Sequence, residues 1–208
     1  EAIAGEYPSL EGIGAKPGQV VIFGGGSAGQ KALDASLKLK KEVCVIEKND
    51  PRRKALQARQ ISVFSPKELA LPLLKEADIL IGCAHSKASR AVQVITPEAL
   101  KAASVSKKKI LIDISIDQGG NFPEAKAKTY EDPVYLDSWG NLHFTVPNIP
   151  SLAGKKASEI LSKESLQYTL VLTKGLPEAL REWPELEQAV NVQNGKVMIP
   201  SIEKAHQL

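Results

Sequence analysis

The run Gln19-Val20-Val21-Ile22-Phe23 ends in Gly24-Gly25-Gly26-Ser27-Ala28-Gly29, and few folds accommodate that join. An apolar run of this length, closed by glycines, suits a central parallel strand buried on both faces. Beyond the glycines, Ala28, Ala32, Ala35 and Leu39 recur at helical spacing, so residues 27–40 are expected to form an amphipathic helix. Strand, glycine turn and helix together are the opening unit of a doubly wound α/β sheet.

The alternation continues. Val43-Cys44-Val45-Ile46 reads as a second buried strand, followed by a helix beginning near Pro51, since proline is favoured at the first helical position. Residues 61–64 make a short strand, and Ser65-Pro66 with Glu68 starts another helical piece. Residues 78–83 form a strand. Thr96-Pro97-Glu98 supplies an N-cap and a first-turn proline for a further helix. Ile110-Leu111-Ile112-Asp113 is the fifth strand, and Trp139-Gly140-Asn141 suggests a hairpin whose second arm, 142–146, joins the sheet edge. After Pro150 the pattern changes: residues 153–189 are helical in period, with a short strand near Val197. The expected organisation is a linker over 1–18, a parallel doubly wound domain over 19–150, and a mostly helical segment of a second, incomplete domain over 151–208.

The glycines fit G-x-G-x-x-G. Gly24 permits the tight turn, Gly26 lets a pyrophosphate approach the backbone, and Gly29 allows helix and strand to pack closely. Amide groups of the helix start, at Gly26, Ser27, Ala28 and Gly29, would face the phosphates. A glycine-rich turn can also be merely a tight connection. What favours a dinucleotide is Glu47, ending the second strand about 20 residues on, where a carboxylate accepts hydrogen bonds from ribose hydroxyls. The same carboxylate repels a 2′-phosphate, which favours NAD over NADP. Lys48, Arg52 or Arg53 would soften that preference by reaching such a phosphate.

A second constellation, Asp113-Ile114-Ser115-Ile116-Asp117-Gln118-Gly119-Gly120-Asn121-Phe122, follows the fifth strand at the edge where open α/β sheets bind ligands. Asp113 is expected to cap its own loop. Asp117 precedes a Gly-Gly pair and is expected to face the nicotinamide end of the cleft. An Asx-type turn is the alternative for it. His85, His143 and His206 have no spacing that suggests a metal or a triad, so a structural or solvated role is expected of each.

Lys plus Arg number 27 against 24 for Asp plus Glu, a net charge of +3 that is dispersed and leaves no footprint for nucleic acid. The one dense basic run, Lys107-Lys108-Lys109, is expected to be a solvated turn. No apolar stretch approaches the roughly 20 residues that span a bilayer. The only cysteines, Cys44 and Cys83, are expected as buried reduced thiols on neighbouring strands, which suits a cytoplasmic protein.

The run Ile-Asp-Gln-Gly-Gly-Asn-Phe at 116–122 is similar to the signature of the alanine dehydrogenase and pyridine nucleotide transhydrogenase family. Thr129-Tyr130 with Asp132-Pro133, the loop Val146-Pro147-Asn148-Ile149-Pro150, the fingerprint at 20–29 and the tail at 191–196 resemble it too. Asp117 stands where transhydrogenases usually carry glutamate, so the alanine dehydrogenase branch is the closer match.

The resemblance implies a hydride exchanged between an amino acid's α-carbon and a nicotinamide, giving a 2-oxo acid. It also implies Asp117 as the active-site carboxylate, Asn148 and Ile149 lining the nicotinamide pocket, and Cys83 and Ala84 along the adenosine and ribose path. Family members assemble into oligomers and take substrate-binding arginine, lysine and histidine from an N-terminal segment. The expectation is that this chain lacks that segment and is inactive by itself. Ser151-Leu152-Ala153-Gly154-Lys155-Lys156 departs from the family's pattern and leaves the substrate open. A transhydrogenase subunit, an opine-forming reductase and a non-catalytic dinucleotide-binding module are the competing readings.

Overall fold

The computed structural model describes residues 18–85, 90–200 and 202–203; most of the expected linker, and His206, lie outside them. The described residues up to Pro147 form one compact unit, and those from Asn148 onward form another.

The first unit is a seven-stranded sheet. Its strands are β1 (Gln19–Phe23), β2 (Glu42–Ile46), β3 (Ser62–Phe64), β4 (Ala77–Gly82), β5 (Ile110–Asp113), β6 (Val134–Leu136) and β7 (Leu142–Phe144), in the order β3-β2-β1-β4-β5-β7-β6. All neighbours run parallel except the edge hairpin of β6 with β7. The order reverses between β1 and β4. Such a switch point leaves a crevice beyond the carboxyl ends of the two strands, because their crossover connections leave on opposite faces.

Side chains alternate across the sheet, so each central strand feeds two cores. Val21 and Phe23 of β1 and Leu80 of β4 pack on one face with Leu74 and Leu100, from α3 (Leu71–Glu76) and α4 (Pro97–Ala103). Val20, Ile22 and Ile81 pack on the other with Leu33 and Leu56, from α1 (Ser27–Lys38) and α2 (Asp50–Ala58). Burial on both faces is why these strands read as continuous apolar runs. The helix starts follow their residues. The Asn49 side chain accepts from Arg52 N at 3.0 Å, and Thr96 Oγ1 from Ala99 N at 3.2 Å.

Three expectations are corrected. In α1 the buried residues are Gly29, Leu33 and Ser36, whereas Ala28 and Ala35 are exposed and Leu39 lies beyond the helix, 70% exposed. The alanine stripe has the helical period but little area to bury, and the adjacent stripe carries Leu33 and the glycine that must approach β1. Cys44 and Cys83 are free and buried, but Cys44 lies on β2 and Cys83 just after β4, β1 stands between those strands, and the two thiols belong to opposite cores. Burial pushes the Cys44 thiol up to about 11 and the Cys83 thiol to about 12.

Lys109 is no part of a solvated turn. Only 1% exposed, it donates through Nζ to Lys75 O at 2.6 Å and Ala77 O at 2.7 Å. It thereby satisfies carbonyls at the end of α3 that have no partner within the helix. Lys107 Nζ donates to Glu76 O and Lys108 Nζ to Trp139 O, so the basic run ties three connections together.

The hairpin of β6 and β7 extends the sheet as expected, with β7 against β5. His143 on β7 is fully buried, its Nε2 is 3.2 Å from Asp137 Oδ2, and its ring stacks on Tyr135 at 4.8 Å. Its role is structural.

The second unit holds α5 (Gly154–Leu172), α6 (Leu176–Glu182) and a two-residue hairpin of β8 (Val192–Gln193) with β9 (Lys196–Val197). The long helix and the late strand near Val197 are as the periodicity indicates. Of the residues in α5 only Val171 is buried, and Ile160, Leu161, Leu166 and Leu170 are exposed.

Candidate functional site

The parallel strands all end at one edge of the sheet, and four loops meet there. Gly24 to Gly29 follow β1, Glu47 follows β2, Cys83 to His85 follow β4, and Ser115 to Phe122 follow β5.

The glycine turn is shaped by close approaches. Gly24 has φ +102°, its N–H donates to Ile46 O at 2.8 Å, and an added Cβ would lie 2.8 Å from Cys83 O. Only glycine meets both demands, the left-handed backbone and the contact with the loop after β4. At Gly29 an added Cβ would lie 1.8 Å from Gly24 O, so helix α1 sits against the turn with no room for a side chain. Gly26 differs: among the described residues nothing lies within 4 Å of where its Cβ would be. Its backbone is extended, at φ −72° and ψ −166°, and any residue adopts that conformation. Gly26 therefore faces space that no described residue fills, and the described fold does not by itself require glycine there.

Helix α1 begins at Ser27, and its first internal amide bond is from Gln30 N to Gly26 O, 2.9 Å. Ser27 and Ala28 are exposed. The positive end of a twelve-residue helix thus opens at the switch point, which is the electrostatic arrangement that receives a phosphate.

Glu47 is 3% exposed and completes the turn from the neighbouring strand. Its Oε2 accepts from Gly25 N at 2.7 Å and stands 3.3 Å from Arg52 Nη1; its Oε1 accepts from Asn49 N at 2.7 Å. Burial alone would raise its pKa. The two backbone bonds and the Arg52 charge outweigh burial and hold the carboxyl below its ordinary value. A fixed anion therefore stands beside the glycine turn.

The loop after β5 is clasped from within. Asp113 is fully buried, and its carboxylate accepts from Ser115 N at 3.0 Å, Asn121 N at 2.6 Å and Phe122 N at 3.3 Å. It caps its own loop, as expected of a strand-end aspartate. Burial raises its pKa despite those bonds.

Asn121, which the sequence reading assigned no role, ties this loop to the one after β4. Its Nδ2 donates to Ala84 O at 2.9 Å and Val92 O at 2.8 Å, and its Oδ1 accepts from Ala84 N at 3.1 Å. These partners are 37 and 29 residues away, so no local pattern announces them. Asp117 lies in a short 3-10 turn, Ile116–Gln118, and is exposed at the same edge.

The structure thus brings Gly24, Gly26, Ser27, Ala28, Gly29, Glu47, Cys83, Ala84 and Asp117 to one edge of the first unit. Asn148 and Ile149 open the second unit; Asn148 is exposed with φ +56°, and Ile149 begins a 3-10 turn. Among the described residues no group of three or more His, Cys, Asp or Glu is placed to hold a metal ion, and no helix is long and apolar enough to cross a membrane.

Comparison with known proteins adds family and fold. Residues 5–200 match the family described as alanine dehydrogenase/PNT, C-terminal domain. Alanine dehydrogenase 1 of Staphylococcus aureus (strain MSSA476) is 34% identical over 195 residues, which cover 90% of this chain and 51% of that protein. Among solved structures, an L-alanine dehydrogenase superposes with a TM-score of 0.77 at 25% identity, over 93% of this chain and 54% of that one. A transhydrogenase from Sinorhizobium meliloti shares the fold, with a TM-score of 0.68 at 19% identity over 88% of this chain and 53% of that one. The chain spans about half the length of the relatives it matches.

Proposed function

The chain belongs to the alanine dehydrogenase/pyridine nucleotide transhydrogenase family, as its C-terminal domain, and we propose that it is the NAD-binding part of an amino-acid dehydrogenase. The observation that carries the proposal is the open approach to Gly26 between the start of α1 and the buried Glu47 carboxylate. A pyrophosphate suits the space at Gly26, where the amides of Ser27, Ala28 and Gly29 precede the first internal bond of α1 and have no acceptor within the helix. Glu47 is the acceptor for ribose hydroxyls and, as a fixed anion, favours NAD over NADP. Cys83 and Ala84, against Gly24, border the adenosine and ribose path.

When bound, the nicotinamide supplies or accepts the hydride. The chain's own part is to hold the ring's carrier and to present a carboxylate. Asp117, exposed at the same edge on a loop clasped by Asp113 and Asn121, is the proposed acceptor for the amine or water at the reacting carbon. Asn148 and Ile149 are proposed to line the nicotinamide pocket. The substrate class, an L-amino acid and its 2-oxo acid, is supported by the similarity to alanine dehydrogenase 1. We place the protein in the cytoplasm, which its two free thiols support. Homo-oligomerisation is supported by the exposed leucines of α5.

Calorimetric titration with NAD tests the reading. Saturable 1:1 binding is expected, at least tenfold weaker in Gly26→Ala; absence of binding by the folded wild-type chain refutes it.

A further inference from the structure

We infer that Arg52 is a specificity-determining residue, a latent 2′-phosphate clamp that Glu47 keeps masked. The inference rests on the proposed dinucleotide site and concerns which of two nicotinamide cofactors that site admits.

Four cations follow β2, namely Lys48, Arg52, Arg53 and Lys54, and the structure separates the two arginines by what they hold. Arg53 is committed to the loop: its Nη1 donates to Glu47 O at 3.0 Å and Lys48 O at 2.8 Å, and its Nη2 meets Asp50 Oδ1 at 2.8 Å. Its side chain is 22% exposed. Arg52 is 51% exposed, and its guanidinium lies 3.3 Å from Glu47 Oε2. That is a long contact for a charge-assisted bond. The two partners differ in freedom, because the Glu47 carboxylate is buried and fixed by Gly25 N and Asn49 N. In any rearrangement the guanidinium moves and the carboxylate stays.

The charges explain the masking. With the pair formed, a 2′-phosphate meets the fixed carboxylate and a guanidinium whose charge the carboxylate largely cancels. To bind the phosphate, Arg52 must leave Glu47, and the phosphate must tolerate the anion left behind. A ribose hydroxyl carries no such charge and can use the remaining acceptor capacity of Glu47. Removing the carboxylate therefore does two things for a 2′-phosphate. It ends the repulsion and frees a planar guanidinium suited to bidentate phosphate contact. The second effect is the one assigned to Arg52.

A double-mutant cycle separates them. Dissociation constants for NAD and NADP are measured by calorimetry on the wild-type chain, Arg52→Met, Glu47→Gln and Glu47→Gln/Arg52→Met. Each variant is judged by its own NADP-to-NAD affinity ratio, so damage to the glycine turn that weakens both cofactors equally cancels. Glu47→Gln is expected to swing the ratio toward NADP by roughly tenfold or more, the scale of one charge-assisted phosphate contact. The double variant is expected to lose most of that swing.

A double variant that keeps the full swing overturns the inference, since relief of repulsion then suffices. So does a Glu47→Gln chain with no swing. If Glu47→Gln does not fold, exposed Arg52 carries the test on the wild-type background. There Arg52→Met is expected to lower NADP affinity by a larger factor than NAD affinity, and an equal or reversed effect overturns the inference. Failure of the wild-type chain to bind either cofactor instead refutes the dinucleotide site itself.

Discussion

Two glycines of one motif answer to different constraints, and substitution separates them. At Gly29 a methyl group would meet Gly24 O at 1.8 Å, so Gly29→Ala must push α1 away from the turn. A loss of about 2 kcal/mol or more is expected, in the range of overpacked cores, read as a lowered urea midpoint. At Gly26 the added methyl group meets no atom of the described residues within 4 Å. Gly26→Ala is therefore expected to keep the wild-type midpoint while losing NAD affinity. A destabilised Gly26→Ala chain would show that Gly26 serves the fold instead.

Asp113 makes the same kind of point for a carboxylate. Asp113→Asn turns one acceptor into a donor facing backbone N–H groups of Ser115, or of Asn121 and Phe122. Each orphaned buried donor costs about 1–3 kcal/mol, so a loss on that scale is expected in the same denaturation experiment.

Among the elements, the junction of α3, β4 and β5 rests on a buried amine. Burial, followed by the nearby Lys107 charge, lowers the Lys109 pKa from 10.5 to about 8. The folded chain then binds fewer protons than the unfolded chain between pH 8 and 10.5, so this group makes stability rise with pH across that window. Below pH 8 the full cost of burying the charge is present. Lys109→Met removes the titration. Chemical denaturation at pH 7.5, 9 and 10 is expected to show wild type gaining on the variant by roughly 2–3 kcal/mol in all. A difference independent of pH would place the amine in solvent.

The helices tell a parallel story about area. The period of α1 is visible in its alanines, but the buried stripe is the one holding Gly29 and Leu33, because contact with β1 selects the face.

For the molecule as a whole, a ligand that binds only the folded state stabilises it by mass action. At a hundred times its dissociation constant, NAD contributes about 2.7 kcal/mol. Scanning calorimetry is expected to show the melting of the sheet unit raised by several degrees with NAD. At the same NAD concentration the shift in Gly26→Ala should be about half of that or less, as an affinity at least tenfold lower requires. An unchanged melting temperature in wild type would speak against the site.

The sequence by itself determined the strand and helix order, the glycine turn, the acid at the end of β2 and the cap made by Asp113. Each is settled within a few residues by periodicity, backbone freedom or a neighbouring amide. Tertiary structure alone decided that Lys109 is buried, that Cys44 and Cys83 lie in opposite cores, that Asn121 clasps the loop after β4, and that Arg53 is held by loop carbonyls while Arg52 is half exposed beside Glu47. Strand order and exposure settle those, and both depend on which distant segments the sheet brings together.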